Sequence, residues 1–162
     1  MADRFDEGYY AKFYKSSGKV HDEAEIGVLC QAVVCHIAWL GRQVRSVLDV
    51  GAGPGFWRAW FRKYRPDVAY RSIDVSAYAC ETYGHEQKDI SVWSSRERFD
   101  LVVCQGVLQY LTDEGAEGAI QNLGAMCGGF MYLEAITKHD LDEVVDRERT
   151  DTAIHARTGA WY

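Results

Sequence analysis

Val47-Leu48-Asp49-Val50-Gly51-Ala52-Gly53-Pro54-Gly55 runs a short apolar stretch straight into three glycines at alternate positions. An apolar run closed by turn residues has the pattern of a strand buried on both faces of a parallel sheet. The glycines permit positive φ and a tight turn, and they leave room for a ligand to approach the main chain. Phe56 to Tyr64 then reads as a helix that stops ahead of Pro66. Its first turn points unpaired N–H groups, and the positive end of its dipole, at the loop. A unit of this kind marks the crevice beyond a strand's carboxyl end, where open α/β sheets bind ligands. Two ligand classes fit it poorly. A dinucleotide fingerprint needs a glycine at the sixth position from Gly51, and that position is Phe56. A phosphate-binding loop ends in Gly-Lys-Ser or Gly-Lys-Thr, and this one does not.

Outward from the loop, strands and helices alternate. Ala69 to Asp74 and Phe99 to Cys104 read as strands, and Phe130 to Ala135 as a further one. Ala77 to Tyr83 and Asp113 to about Leu123 read as the helices between them, and Leu141 to Arg149 as a polar, helical tail. Before the loop, Ile26, Leu29, Val33, Ile37 and Leu40 fall at helical spacing behind an Asp22 cap, and Gly41 ends that helix. Phe5, Tyr9, Tyr10, Phe13 and Tyr14 place an aromatic stripe on one face of a first helix. Alternation of this kind predicts an α/β, Rossmann-like open sheet, mostly parallel, with helices on both faces. One domain is expected over residues 1–162: a helical cover (1–42), β-α-β units (43–136) and the tail (137–162).

Composition excludes several classes. Hydrophobic residues make up 48% and charged residues 26%, an ordinary globular balance. No apolar run reaches the ~20 residues of a membrane span. The start, Met1-Ala2-Asp3-Arg4-Phe5-Asp6-Glu7, lacks an apolar signal segment, so the expected location is cytoplasmic. Cys30, Cys35, Cys80, Cys104 and Cys127 are scattered and form no CxxC pair, so they read as small hydrophobes, and no metal site is expected. Net charge is −6 with the basic residues dispersed, which argues against a nucleic-acid partner. His21 and His36 carry no assigned role.

Asp49-Val50-Gly51-Ala52-Gly53-Pro54-Gly55 resembles motif I of the class I S-adenosylmethionine (SAM)-dependent methyltransferases, an acid followed by GxGxG. The resemblance extends in order to Glu134. Ser72-Ile73-Asp74-Val75-Ser76 is similar to the family's second motif, and Lys88-Asp89-Ile90 to the next element. Phe99 to Leu111 resembles motif IV, and Gly128 to Glu134 the fifth strand. The resemblance implies SAM as cofactor. Asp49, Gly51, Ala52, Gly53, Gly55 and Phe56 would cradle its methionine moiety, with Gln105 and Gly106 lining the same side. Asp74 would accept from both ribose hydroxyls, a charge-assisted pair. Val75 and Ile90 would lie along the adenine, and Asp89 would receive its amino group. Tyr10 and Tyr14, on an N-terminal helix acting as a lid over a hinge at Ser16-Ser17-Gly18-Lys19, would touch the methionine.

The implied activity is methyl transfer to a small-molecule acceptor. A noncatalytic SAM-binding or interaction module and a nicotinamide-dependent oxidoreductase are the alternatives. No catalytic residue stands out. Tyr110, Glu134 and His139 are the candidates for a base, should the acceptor have to lose a proton. The family also adds a sixth and a seventh strand. After Glu134 this sequence holds only a charged helical segment and Arg157-Thr158-Gly159-Ala160-Trp161-Tyr162, which predicts a C-terminal truncation. The open sheet edge so created could pair with a second copy as a homodimer.

Overall fold

The computed structural model describes residues 4–15 and 19–162. Among the described residues, five strands form one sheet: β1 (Ser46–Val50), β2 (Ala69–Asp74), β3 (Glu86–Gln87), β4 (Phe99–Gln105) and β5 (Cys127–Glu134). Their spatial order is β3-β2-β1-β4-β5, and every pairing is parallel. β1 is central, with Val47 to Val50 all buried. The chain leaves β1 toward β2 on one side and later returns to β4 on the other, so a crevice opens beyond the carboxyl ends of β1 and β4.

Period-two alternation assigns the two faces of the sheet. Leu48, Val50, Val102 and Cys104 pack against Ala116, Ala119, Leu123 and Met126 of the helix Asp113–Met126. Val47, Leu101 and Val103 face the other layer, where Ile26, Cys30 and Ile37 of the helix Glu23–Trp39 meet Trp57 and Phe61 of the helix Phe56–Tyr64. We label the helices α1 (Glu7–Tyr10), α2 (Glu23–Trp39), α3 (Phe56–Tyr64), α4 (Ala77–Tyr83), α5 (Asp113–Met126) and α6 (Lys138–Glu143). Local chemistry sets their ends. Asp22 and Glu25 close a capping box on α2, Ser76 caps α4 and Thr112 caps α5. None of the described helices is long and apolar enough to cross a membrane.

Besides the two-residue edge strand β3, which the sequence reading lacks, the structure departs from that reading in three elements. The aromatic stripe does not lie on one regular helix: α1 runs into a π-helical turn at Ala11–Lys15. That wider turn changes the phase, so Phe5, Tyr10 and Phe13 are buried while Tyr9 and Tyr14 face each other across 6.4 Å. The Ser16–Gly18 part of the expected hinge lies outside the described residues.

β5 begins at Cys127 rather than Phe130, directly from the end of α5. Gly128 and Gly129 lie ahead of the stretch Phe130 to Ala135 that the residues alone suggest, and they belong to the strand, as the resemblance over Gly128 to Glu134 implies. A Cβ on Gly129 would sit 2.6 Å from the Asp100 carbonyl oxygen, so glycine is what lets β5 close on β4 beside an irregular register.

The tail is the third difference. Its helix covers only Lys138–Glu143, with a capping box between Thr137 and Asp140. Beyond it the chain follows turns, because its anchors are side chains spaced without helical period. The buried Arg157 donates to the Leu108 carbonyl at 3.0 Å and to the Leu111 carbonyl at 2.5 Å, and reaches Asp113 at 2.8 Å. Trp161 lies under its guanidinium at 4.4 Å. The tail therefore packs across the turn that follows β4.

Candidate functional site

The glycine loop is held by its neighbour β2. Gly51 and Ala52 donate from their N–H groups to the Ile73 carbonyl at 2.9 and 3.1 Å. The Gly53 N–H donates to Asp74 Oδ2 at 2.9 Å, and the Ser76 N–H donates to Asp74 Oδ1 at 2.8 Å. The carboxylate at the end of β2 thus sits against the loop, with further lone pairs on both oxygens. Gly51 has φ +66°, and a Cβ there would lie 2.3 Å from Val107 Cγ2. Only glycine fits this approach of the loop to the turn after β4.

A cleft opens over the loop in two lobes. The first, about 670 Å³, brings together Tyr10, Gly51, Gly53, Asp74, Val75, Asp89, Ile90, Gln105 and Gly106. The second, about 820 Å³, is lined by Asp49, Ala52, Phe56, Trp57, Glu134 and Asp151 among others. Tyr14 and Tyr110 face both lobes, as do Gly51, Gly53, Gln105 and Gly106. Two residues singled out in the sequence lie outside. Gly55 lines neither lobe and instead makes the positive-φ turn into α3. His139 is exposed on α6 and likewise lines neither.

Burial sets the chemistry of several groups. Asp49 is 3% exposed, and desolvation pushes its carboxyl up to about 7, against the favourable hydrogen bond that Tyr70 donates to its Oδ2 at 2.7 Å. Tyr9 and Tyr110 touch hydroxyl to hydroxyl at 3.1 Å. Burial holds both phenols well above their ordinary range, so both are neutral near pH 7. Trp57 Nε1 donates to Gln105 Oε1 at 2.9 Å, which turns the amide nitrogen toward Glu134 at 3.3 Å. Tyr132 donates to the same Glu134 carboxylate at 2.6 Å.

The profile of a methyltransferase-domain family matches residues 22–160. The chain belongs to this methyltransferase-domain family. No curated protein matches the sequence. Among solved structures, the plantazolicin methyltransferase BpumL in complex with SAH is 15% identical with a TM-score of 0.65, over 90% of this chain and 59% of that one. A SAM-dependent methyltransferase from Clostridium acetobutylicum ATCC 824 is 15% identical with a TM-score of 0.62, over 88% and 60%. SAM-bound CalS10, an amino pentose methyltransferase from Micromonospora echinaspora, is 20% identical with a TM-score of 0.61, over 80% and 56%. These likenesses are of fold. The chain spans 56–60% of the length of these three.

The methyltransferase domain also carries site residues that sequence reasoning passed over. His85 is buried and bonds Gly53 O through Nε2 at 3.0 Å and Ser72 Oγ through Nδ1 at 2.8 Å. Asp151 comes from the irregular tail and pairs with Arg4 at 2.5 Å. His21 lines the second lobe, although nothing around it in sequence assigns it a role. None of the three sits in a motif. Tyr9 belonged to the aromatic stripe, but the π-helical turn decides which of its rings face the cleft.

Proposed function

We propose that this domain binds S-adenosylmethionine across the first lobe and transfers its methyl group to a small-molecule acceptor in the second. One observation carries the reading: the Gly53 N–H rests on Asp74, so the glycine cradle and the strand-end carboxylate form one wall. Asp74 would accept from the ribose hydroxyls, and Val75 and Ile90 would flank the adenine. Asp89 would take the adenine amino group, since Ser91 occupies only its Oδ1, at 2.9 Å from N and 2.6 Å from Oγ. The amino-acid tail would lie along Gly51, Gly53 and Gly106, its ammonium toward Asp49. The neighbouring structures that hold SAM or SAH on the same fold support this, as does the small amino pentose acted on by CalS10.

A sulfonium donor supplies an activated methyl group. What remains for the domain is alignment of the acceptor and exclusion of water. Phe5, Tyr9 and Tyr14 cover the first lobe, and the neutral phenols of Tyr9 and Tyr110 can orient an acceptor without removing its proton. Calorimetric titration with S-adenosylhomocysteine and with NAD tests the assignment. Binding of the first and not the second is expected, and Asp74→Ala should weaken it by about 1–3 kcal/mol, the range for a charged hydrogen bond. Absence of binding by the wild-type domain, or unchanged affinity in the variant, rejects the placement.

A further inference from the structure

We infer that the acceptor is an amine whose ammonium form pairs with Glu134 in the second lobe; this rests on the methyl-transfer reading above. The side chains lining that lobe, among the described residues, include three acids, Asp49, Glu134 and Asp151, and no lysine or arginine. The three acids are not equivalent. Asp151 is already compensated by Arg4, whose guanidinium also lies 5.1 Å from the Tyr110 ring centre. Asp49 is buried, and its Oδ1 accepts no hydrogen bond among the described residues, which leaves it for the ammonium of the donor's own amino-acid tail. Glu134 is left over. Its partners are neutral, the Tyr132 hydroxyl and the Gln105 amide. Those two contacts fix the carboxylate but do not neutralise it.

An acceptor carrying a carboxylate or phosphate would enter a lobe whose described lining holds three acids, no lysine or arginine, and one basic side chain, His21, which already lies 3.8 Å from Glu25. An alcohol would leave the Glu134 carboxylate without a counter-charge. An amine meets both conditions. Its ammonium form satisfies Glu134, and Tyr9, Tyr14, Phe56 and Tyr110 supply aromatic walls of the kind that attract cations. In the transfer the ammonium first gives a proton to solvent through the open lobe. The nitrogen lone pair then forms the N–C bond as the C–S bond breaks, and the pair from that bond stays on sulfur. The products are an N-methylammonium, a neutral thioether and the released proton.

Three probes of one skeleton test this on the complex with S-adenosylhomocysteine: tyramine, tyrosol and 3-(4-hydroxyphenyl)propionate, each titrated by calorimetry. Tyramine should bind roughly tenfold or more tighter than the other two, as expected for one charge-assisted hydrogen bond. Glu134→Gln should remove that preference while S-adenosylhomocysteine still binds within about twofold, which also reports that the variant is folded. Equal or tighter binding of the alcohol or the acid, no binding of tyramine, or a preference that survives Glu134→Gln overturns the inference. The selectivity of the wild-type domain decides the matter even if the variant fails to fold. Failure of S-adenosylhomocysteine to bind the wild type is a separate result, and it removes the underlying reading as well.

Discussion

His85 Nε2 lies 3.0 Å from the Gly53 carbonyl oxygen, while the Asp74 carboxylate accepts the N–H of the same glycine. A carbonyl can only accept, so Nε2 carries the proton and Nδ1 accepts from the Ser72 hydroxyl. Gly53 is therefore clamped through both of its backbone polar groups by side chains anchored on or beside β2. The carbonyls of Tyr83 and Gly84, the two residues ahead of this histidine, are in turn held by Arg58. This second support explains how a loop of three positive-φ glycines keeps one shape.

Removing that support should cost stability and cofactor affinity together. His85→Ala leaves the buried Gly53 carbonyl and Ser72 hydroxyl without their partner, a loss of about 1–3 kcal/mol. His85→Gln, which can donate to Gly53, should recover part of both losses. Burial also holds the His85 imidazole below its ordinary range. The unfolded chain, with a histidine near 6.5, then binds the proton first, so stability falls as pH drops from about 6.5. Urea unfolding of wild type and His85→Gln between pH 5 and about 8 measures both effects. Identical pH slopes in the two proteins would show that His85 titrates normally.

Gly51→Ala tests the close approach of loop and turn. The new methyl would stand 2.3 Å from Val107 Cγ2, in a backbone with φ +66°. Overpacking and left-handed strain each cost about 1–3 kcal/mol. A second substitution, Val107→Ala, opens space but does not change the dihedral angle, so it should return only part of the loss. Full recovery in the double variant would mean that the dihedral carries no strain.

The sheet was legible because its signals are local. β2 and α3 have the bounds expected, from Ala69 to Asp74 and from Phe56 to Tyr64, and β1 begins one residue ahead of the expected Val47 to Val50. The loop and Asp74 were legible for the same reason, since both stand at strand ends that the apolar pattern locates. The rest depends on contacts distant in sequence. Nothing near His85 announces a bond to Gly53, 32 residues away. Nothing near Asp151 announces Arg4, 147 residues away. The apolar pattern alone starts β5 at Phe130, because the need for glycine at 128 and 129 shows only once the facing carbonyls of Phe99 and Asp100 are in place. The tail misled because its polar composition suits a helix, while a single buried arginine decides its path.

Asp49 offers a pH dependence opposite in sign to that of His85. Its carboxyl is pushed up to about 7 by burial, whereas an unfolded aspartate titrates near 3.9. Between those values the folded protein binds the extra proton, so the contribution of this group to stability declines as pH rises from about 4 to 7. Asp49→Asn keeps an oxygen that can accept from Tyr70 and removes the charge. The variant should match the wild type near pH 4 and exceed it by about 1–3 kcal/mol near pH 8. Binding of S-adenosylhomocysteine should pay for the ionisation of Asp49 through its ammonium, releasing about half a proton near pH 7 in the wild type and none in Asp49→Asn. Calorimetry in buffers of different ionisation enthalpy reads that number directly. Equal proton release from the two proteins would place the ammonium away from Asp49 and leave its burial without a role in binding.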